Sequence, residues 1–286
     1  MRELTIGKND AGQRLDRFLS KALPLLPPAL AQKYIRIKRV KVNGGRAQRD
    51  QRLQEGDVLQ LYVNDEFFDK PSEENMFLTL FKPRLTVVYE DEHLLLADKP
   101  QGMVVHADET EKVNTLINHI QAYLYQKREW NPKWENAFTP ALCNRIDRNT
   151  GGIVIAAKNA EALRILNQKI KAREIDKRYL CITVGRPKPA EGRIQCFLLK
   201  DEQKKQVSVY HKPIPGGKTA ITDYKVLETR GELSLVEIGL ETGRTHQIRA
   251  TMADLGCPLL GDGKYGRGDV NLSLIHISEP TRLLSI

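Results

Sequence analysis

Asp147 stands between two arginines in the run Asn144-Arg145-Ile146-Asp147-Arg148-Asn149, and a Thr150-Gly151-Gly152 turn follows. Five apolar or small residues, Ile153 to Ala157, come next and read as a buried strand. A carboxylate on a tight loop, kept ionised by a neighbouring guanidinium, can serve as a nucleophile or a general base. The same pattern, taken alone, is also that of an ordinary ion pair. A second stretch, "DKRYLCITVG" from Asp176 to Gly185, places Tyr179 after the basic pair Lys177 and Arg178. A third, "ETGRTHQIRATMADLGCPLLGDGKYG" from Glu241 to Gly266, carries Arg244, His246 and Arg249 ahead of two glycine-rich turns. Within it "GRTHQIR" alternates polar and apolar residues and reads as an exposed strand edge, with His246 as a structural hydrogen-bonder. Pro215–Thr219 suggests a phosphate loop, but the glycine required five residues before the Gly-Lys pair is Lys212, so this is a turn into a strand.

The elements that must hold these residues follow from periodicity. Gly12 precedes a helical pattern with Leu15, Phe18, Leu19 and Leu23 on one face, and Pro24, Pro27 and Pro28 end it. A second helical pattern runs through Leu30, Tyr34 and Ile35. Val40 and Val42 then alternate into Asn43-Gly44, a hairpin turn, and Glu55-Gly56-Asp57 leads into the strand "VLQLYV". Residues 64–86 are polar and mixed and read as a linker, although Phe67, Phe68, Phe77 and Phe81 give part of it something to pack. Beyond it, "TVVYEDEHLLLADKP" reads as strand, turn, strand, and "VNTLINHIQAYLYQ" as a helix. "NAEALRILNQKIKARE" predicts an amphipathic helix capped by Asn159, with Leu163, Leu166 and Ile170 as its buried stripe. Several strands in succession then predict antiparallel pairing. The fold class is α+β, a mixed, largely antiparallel sheet domain with a small N-terminal α/β module.

Composition narrows the function classes. The 286 residues suffice for one large and one small domain. No apolar run is long enough to span a bilayer, and the N-terminus lacks the apolar core of a signal peptide, so the expected location is the cytoplasm. Cys143, Cys181, Cys196 and Cys257 are widely spaced, which fits reduced thiols and argues against a zinc or disulfide framework. The net charge is +9, and residues 1–63 alone hold 13 Lys/Arg against 6 Asp/Glu. Lys33, Arg36, Lys38, Arg39, Lys41, Arg46, Arg49 and Arg52 cluster on the second helix and the hairpin. This is a surface suited to a phosphate backbone.

Two resemblances gather these features. "RLDRFLSKALP" and "AQKYIRIKRVKVNG" make residues 12–63 similar to the ribosomal-protein S-four-type RNA-binding domain, with Pro27-Pro28-Ala29 where that family usually has a Ser-Arg-Ser-like stretch. Residues 87–271 resemble the RluA-like pseudouridine synthases. "DKPQGMVVH" matches that family's Lys-Pro-x-Gly segment, and "TGRTHQIR" and "GDGKYG" match closely. The Arg-x-Asp and Thr-x-Gly framework of the central motif is intact, with Asn144 in place of His and Gly151 in place of Ser. The expected division is an RNA-binding domain over 1–63, a linker over 64–86 and a catalytic domain over 87–271. Residues 272–286 resemble a translated sequencing adapter and are expected to be a non-native tail.

The resemblance implies that Asp147 is the catalytic aspartate, that Arg249 is its guanidinium partner, and that Tyr179 stacks on the base. It implies that Arg145 enters the RNA helix as the nucleotide flips out. Arg244 and His246 join the substrate-binding set, and Lys33, Arg36, Lys38, Arg39 and Lys41 provide the grip of the N-terminal module. No cofactor and no metal are implied. The partner is RNA, ribosomal rather than transfer by analogy with the N-terminal module, and the chain is expected to be a monomer without membrane association. Two alternatives come from other classes. A non-catalytic RNA-binding or ribosome-assembly protein would explain the altered Asn144 and Gly151. A glycoside-bond hydrolase would need a second carboxylate, and the central motif has none.

Overall fold

The computed structural model describes residues 1–68 and 72–266. The expected non-native tail lies outside them. The chain forms two compact units. The first comprises Met1–Lys99, Met103–Arg148 and Val154–Gln168; the second comprises Pro100–Gly102, Asn149–Ile153 and the described residues from Lys169 onward.

In the first unit, strand β1 (Arg2–Thr5), helices α1 (Leu15–Ala22) and α2 (Pro28–Arg36), and strands β2 (Val40–Val42), β3 (Gly45–Arg46) and β4 (Val58–Leu61) make the N-terminal module. Its sheet has the order β1-β4-β2-β3, with antiparallel registers throughout. Leu15, Phe18, Leu19 and Leu23 of the first helical pattern are fully buried with Leu59 and Leu61. Burying each such side chain contributes about 1.5–3 kcal/mol. Strand β1 and the residue after it alternate over Glu3-Leu4-Thr5-Ile6, with Leu4 half-buried and Ile6 buried. The strand pairs antiparallel with the edge of β4.

Two short 3-10 helices, Asp65–Phe68 and Ser72–Thr79, occupy the segment read as a linker. Phe77 of the second is 1% exposed and packs edge-on to Tyr125 and against Trp130. A second sheet follows: β5 (Thr86–Glu90), β6 (Leu94–Lys99), β7 (Ala141–Leu142) and β8 (Gly152–Ala157), in the order β5-β6-β8-β7. Helix α3 (Leu116–Gln126) buries Leu116, Ile120 and Leu124 against it.

Helix α4 (Ala160–Ala172) begins as predicted, with Asn159 Oδ1 accepting from the Ala162 amide at 2.8 Å. Its expected stripe of Leu163, Leu166 and Ile170 is only half-buried, and Ala162 is the residue that is buried.

The N-terminal module is tied to the rest of its unit by side chains of its first loop. Asn9 Oδ1 accepts from the Ala160 amide at 3.1 Å, and Asn9 Nδ2 donates to Glu135 Oε1 at 2.8 Å. Asn136 Nδ2 donates to Thr5 O at 2.8 Å and to Oδ2 of the buried Asp10 at 2.9 Å. Arg164 Nη1 donates to Ala11 O at 3.2 Å.

The second unit is built on five antiparallel strands: β9 (Arg178–Val184), β10 (Glu191–Asp201), β11 (Gln206–Tyr210), β12 (Lys218–Arg230) and β13 (Leu233–Leu240), ordered β11-β10-β12-β13-β9. Helix α5 (Gln247–Asp254) packs Met252 among Tyr224, Val236 and Ile238. "GRTHQIR" is therefore not a strand edge. His246 turns left-handed (φ 51°) and its last three residues open α5. The alternation broke because a single residue of positive φ reverses the chain. None of the described helices is long and apolar enough to cross a membrane.

Candidate active site

The Asp147 loop runs from β7 to β8. Ile155 of β8 donates its amide to Asn144 Oδ1 at 2.8 Å and accepts from the Cys143 amide at 2.8 Å. The Asn144 side chain thus continues the ladder one position past β7, which gives this residue a structural task of its own. Ile146 packs against the core that includes Leu116 and Ile120 of α3. Asp147 is half-buried and Arg145 is exposed. Arg148 donates to Asp108 Oδ2 at 3.1 Å and to Thr110 Oγ1.

Beneath the loop lies Lys99, at the end of β6 and 0% exposed. Its ammonium donates to Met103 O at 2.7 Å and to Arg148 O at 3.0 Å. Burial pushes this amine down to about 8, against an opposing pull from the Asp147 carboxylate. A lysine at the bottom of the loop therefore grips its backbone and sets a positive charge under Asp147. In the sequence, Lys99 is one basic residue of "DKPQG" with nothing near it to assign it a role. The available signal was a charge closing the apolar run "LLLADK".

In the second unit Tyr179 lies on β9 opposite Ile238 and packs with Cys181 and Leu240 beside the core. The turn before α5 carries Arg244 and His246, and Arg249 lies in the first turn of the helix; His246 and Arg249 both neighbour Tyr265, whereas the Arg244 side chain reaches Thr219. The hub of the turn before α5 is the buried Gln247, another residue that went unremarked. Gln247 Oε1 accepts from Thr242 Oγ1 at 2.9 Å and from the Arg244 amide at 3.0 Å, and its Nε2 donates to Ile221 O at 3.0 Å. Arg244 Nε donates to Thr219 O at 3.0 Å. His246 Nδ1 lies 2.9 Å from Tyr265 Oη, which accepts from the Val207 amide at 2.7 Å.

Arg249 makes a two-pronged contact with Asp262, Nε to Oδ2 at 2.7 Å and Nη2 to Oδ1 at 2.9 Å, and lies 5.2 Å from the centre of the Tyr265 ring. Burial raises the Asp262 carboxyl, and the Arg249 hydrogen bonds with the Lys264 and Tyr265 amides outweigh it, leaving Asp262 below the usual carboxylate range. A planar fork fixed on one carboxylate is a rigidly oriented cation.

In the N-terminal module, Lys33, Arg36, Arg46 and Arg49 line one open groove of about 1200 Å³ together with Gln32 and Gln48. Arg39 lies over the Tyr34 ring at 5.3 Å and Lys41 over Tyr62 at 5.4 Å, while Lys38 is exposed at a left-handed position. Of the five residues expected to grip RNA, the groove thus takes two, and adds Arg46 and Arg49 from the wider basic cluster.

Comparison with known proteins settles the class. The model of the RNA pseudouridylate synthase family matches residues 93–254, and that of the S4 domain matches residues 13–59. This chain belongs to the RNA pseudouridylate synthase family. It is an RNA-modifying isomerase with an S4 RNA-binding domain ahead of its catalytic segment. An uncharacterized RNA pseudouridine synthase of Bacillus subtilis, YlyB, is 30% identical over 264 residues, covering 92% of this chain and 82% of that protein. Ribosomal large subunit pseudouridine synthase C of Rickettsia prowazekii is 32% identical over 268 residues, covering 90% and 83%. Among solved structures, human RNA pseudouridylate synthase domain containing 4 shares the fold with a TM-score of 0.55 at 21% identity, covering 74% of this chain and 86% of that one.

Proposed function

We propose that the synthase isomerises one or a few uridines of ribosomal RNA, without cofactor or metal, using Asp147 as its catalytic carboxylate. In this reaction the bond between ribose C1′ and uracil N1 breaks, the base turns, and C1′ bonds to C5. The proton lost from C5 is balanced by one gained at N1. Asp147 attacks the sugar, adds to the ring or removes a ribose proton; all three routes need it ionised and fixed. The observation that carries this reading is the bracing of the Asp147 loop by Lys99 and Asn144 inside the segment that matches the family.

Tyr179 stacks on the base and Arg249 supplies the oriented guanidinium. Arg145, exposed beside Asp147, fills the space left by the flipped nucleotide. Arg244 and His246 bind the nucleotide on the Gln247-anchored turn. The S4 domain holds flanking RNA through its basic groove and the Lys38, Arg39 and Lys41 edge. Ribosomal RNA is supported by the relatives named ribosomal large subunit pseudouridine synthase, C in Rickettsia prowazekii and D in Borreliella burgdorferi. The enzyme works in the cytoplasm as a monomer.

The test is a single-nucleotide pseudouridine map of total RNA from cells lacking the gene, cells with it, and cells complemented with Asp147→Asn. Ribosomal positions that lose the mark and are not restored by the Asn form are expected. Restoration by the Asn form would remove Asp147 from its role. Loss confined to transfer RNA would overturn the substrate.

A further inference from the structure

One cleft of the second unit has no part in the reading above. Arg178 on β9, Gly239 on β13, Asp223 on β12 and Arg193 on β10 form one row across the sheet by register, so they share a face. That face is opposite the one on which Tyr179 packs. At its β9 end is an open cleft of about 530 Å³, lined by Arg173, Asp176, Lys177, Arg178, Asp223 and Glu241 among others. Gly239 leaves its floor low: a Cβ there would meet only the Cβ of Asp223, at 3.6 Å.

The charges in the cleft are unevenly satisfied. Asp223 is held by a two-pronged contact from Arg193, at 2.7 and 3.0 Å. Glu241 pairs with Arg193 and lies 3.7 Å from Arg173. Arg178 pairs with Glu237 at 3.0 Å. Asp176 is exposed. Lys177 differs from all of these. It is half-buried, and among the described residues its ammonium has no hydrogen-bond or ion-pair partner. Its Nζ lies beside Gly243, 3.8 Å from where a Cβ on that glycine would sit. Burial, then Arg173 and Arg244, push its amine below the usual lysine range. Of the cations lining the cleft, Lys177 is therefore the one that no carboxylate among the described residues answers. A buried charge left without a partner is costly unless a ligand supplies one.

We propose that Lys177, flanked by Arg173 and Arg244, is the binding site for a backbone phosphate of the RNA substrate, on the strand that carries the target uridine. This rests on the proposed function. A phosphodiester fits the site better than a carboxylate, because its oxygens can accept from an ammonium and two guanidiniums at once. Arg244 links the two faces, since its backbone belongs to the Gln247-anchored turn.

The test is a filter-binding titration of full-length protein on a fragment of the RNA it modifies, repeated across salt concentrations, with Lys177→Gln, Lys177→Arg and the exposed-rim variant Arg173→Gln. Lys177→Gln is expected to weaken binding about fivefold or more near 0.1 M salt and to lower the slope of log K against log salt by roughly 0.7–0.9, the signature of one lost phosphate contact. Lys177→Arg should restore the slope, and Arg173→Gln should lower it by a smaller amount. An unchanged slope in both Gln variants overturns the site. Millimolar uridine monophosphate competing with RNA in the wild type, but not in Lys177→Gln, would assign the site to a free nucleotide and equally overturn the proposal. Pseudouridine formation by the wild type on the same fragment is scored separately. Its absence would refute the activity on that RNA, while the salt slopes still decide the phosphate contact.

Discussion

Arg249 and Asp262 show what one contact demands of its partners. Asp262 is almost fully buried, and two guanidinium nitrogens and two backbone amides hold it. Arg249→Lys keeps the charge but loses the fork, so one carboxylate oxygen loses its strong donor. We expect single-turnover pseudouridine formation to fall by about 10²-fold or more, with RNA affinity changed far less, because oriented electrostatics of this kind typically contribute that much. A rate within a few-fold of wild type would show that the fork is structural only.

Glu90 offers a residue whose effect is read in stability. Burial pushes its carboxyl up, and hydrogen bonds from Lys158, Lys127 and Tyr123, all between 2.8 and 2.9 Å, prevail and bring it to about 2 from an ordinary 4.5. The folded value lies below the unfolded one, so the stabilisation is complete above about 4.5 and is lost as pH falls toward 2. It amounts to roughly 3 kcal/mol at neutral pH. Urea melts between pH 2 and 7 should show this loss, and Glu90→Gln should flatten it.

At the scale of the element, the β7–β8 loop depends on Asn144 as a side-chain extension of the ladder. Asn144→Ala leaves the Ile155 amide without its acceptor and should cost about 1–2 kcal/mol, readable as a shift in urea midpoint. Lowered pseudouridine formation should accompany it, since the same loop carries Asp147.

Legibility divides along similar lines. The Asn159 cap and the helix-one stripe were visible because they are local: a short side chain meets an amide three residues on, and apolar residues recur each turn. The start of α5 was not visible. Whether "GRTHQIR" continues as strand or turns into helix hangs on His246 adopting positive φ, which Gln247 stabilises through partners on β12. The roles of Lys99 and Gln247 depend in part on residues 25 or more positions away, and spacing along a chain does not reveal such partners. Asp147 stood out by composition, but the lysine beneath it did not. In the basic module, charge was legible and its division was not: Arg39 and Lys41 lie over tyrosines while Arg46 and Arg49 line the groove.

For the whole molecule, the positive charge is an interaction device more than a folding one. Replacing Lys33, Arg36 and Arg46 together with Gln should reduce the salt slope of RNA binding by about two and leave thermal stability nearly unchanged, because all three are exposed. An unaltered slope would place the RNA elsewhere on the surface. The loop of Asn9 and Asp10 has a different kind of consequence. It fastens the S4 domain to the body that carries Asp147 through side-chain hydrogen bonds, independently of the intervening chain. If Asp147 and the basic groove act as proposed, they form the two jaws of a caliper whose opening is set by packing. Such a caliper would choose a uridine by its distance from the gripped segment as well as by its neighbours. Lengthening the 64–86 connector with a short Gly/Ser insertion should leave the modified position where it was, whereas Asn9→Ala with Asn136→Ala should free the jaw and spread modification to nearby uridines.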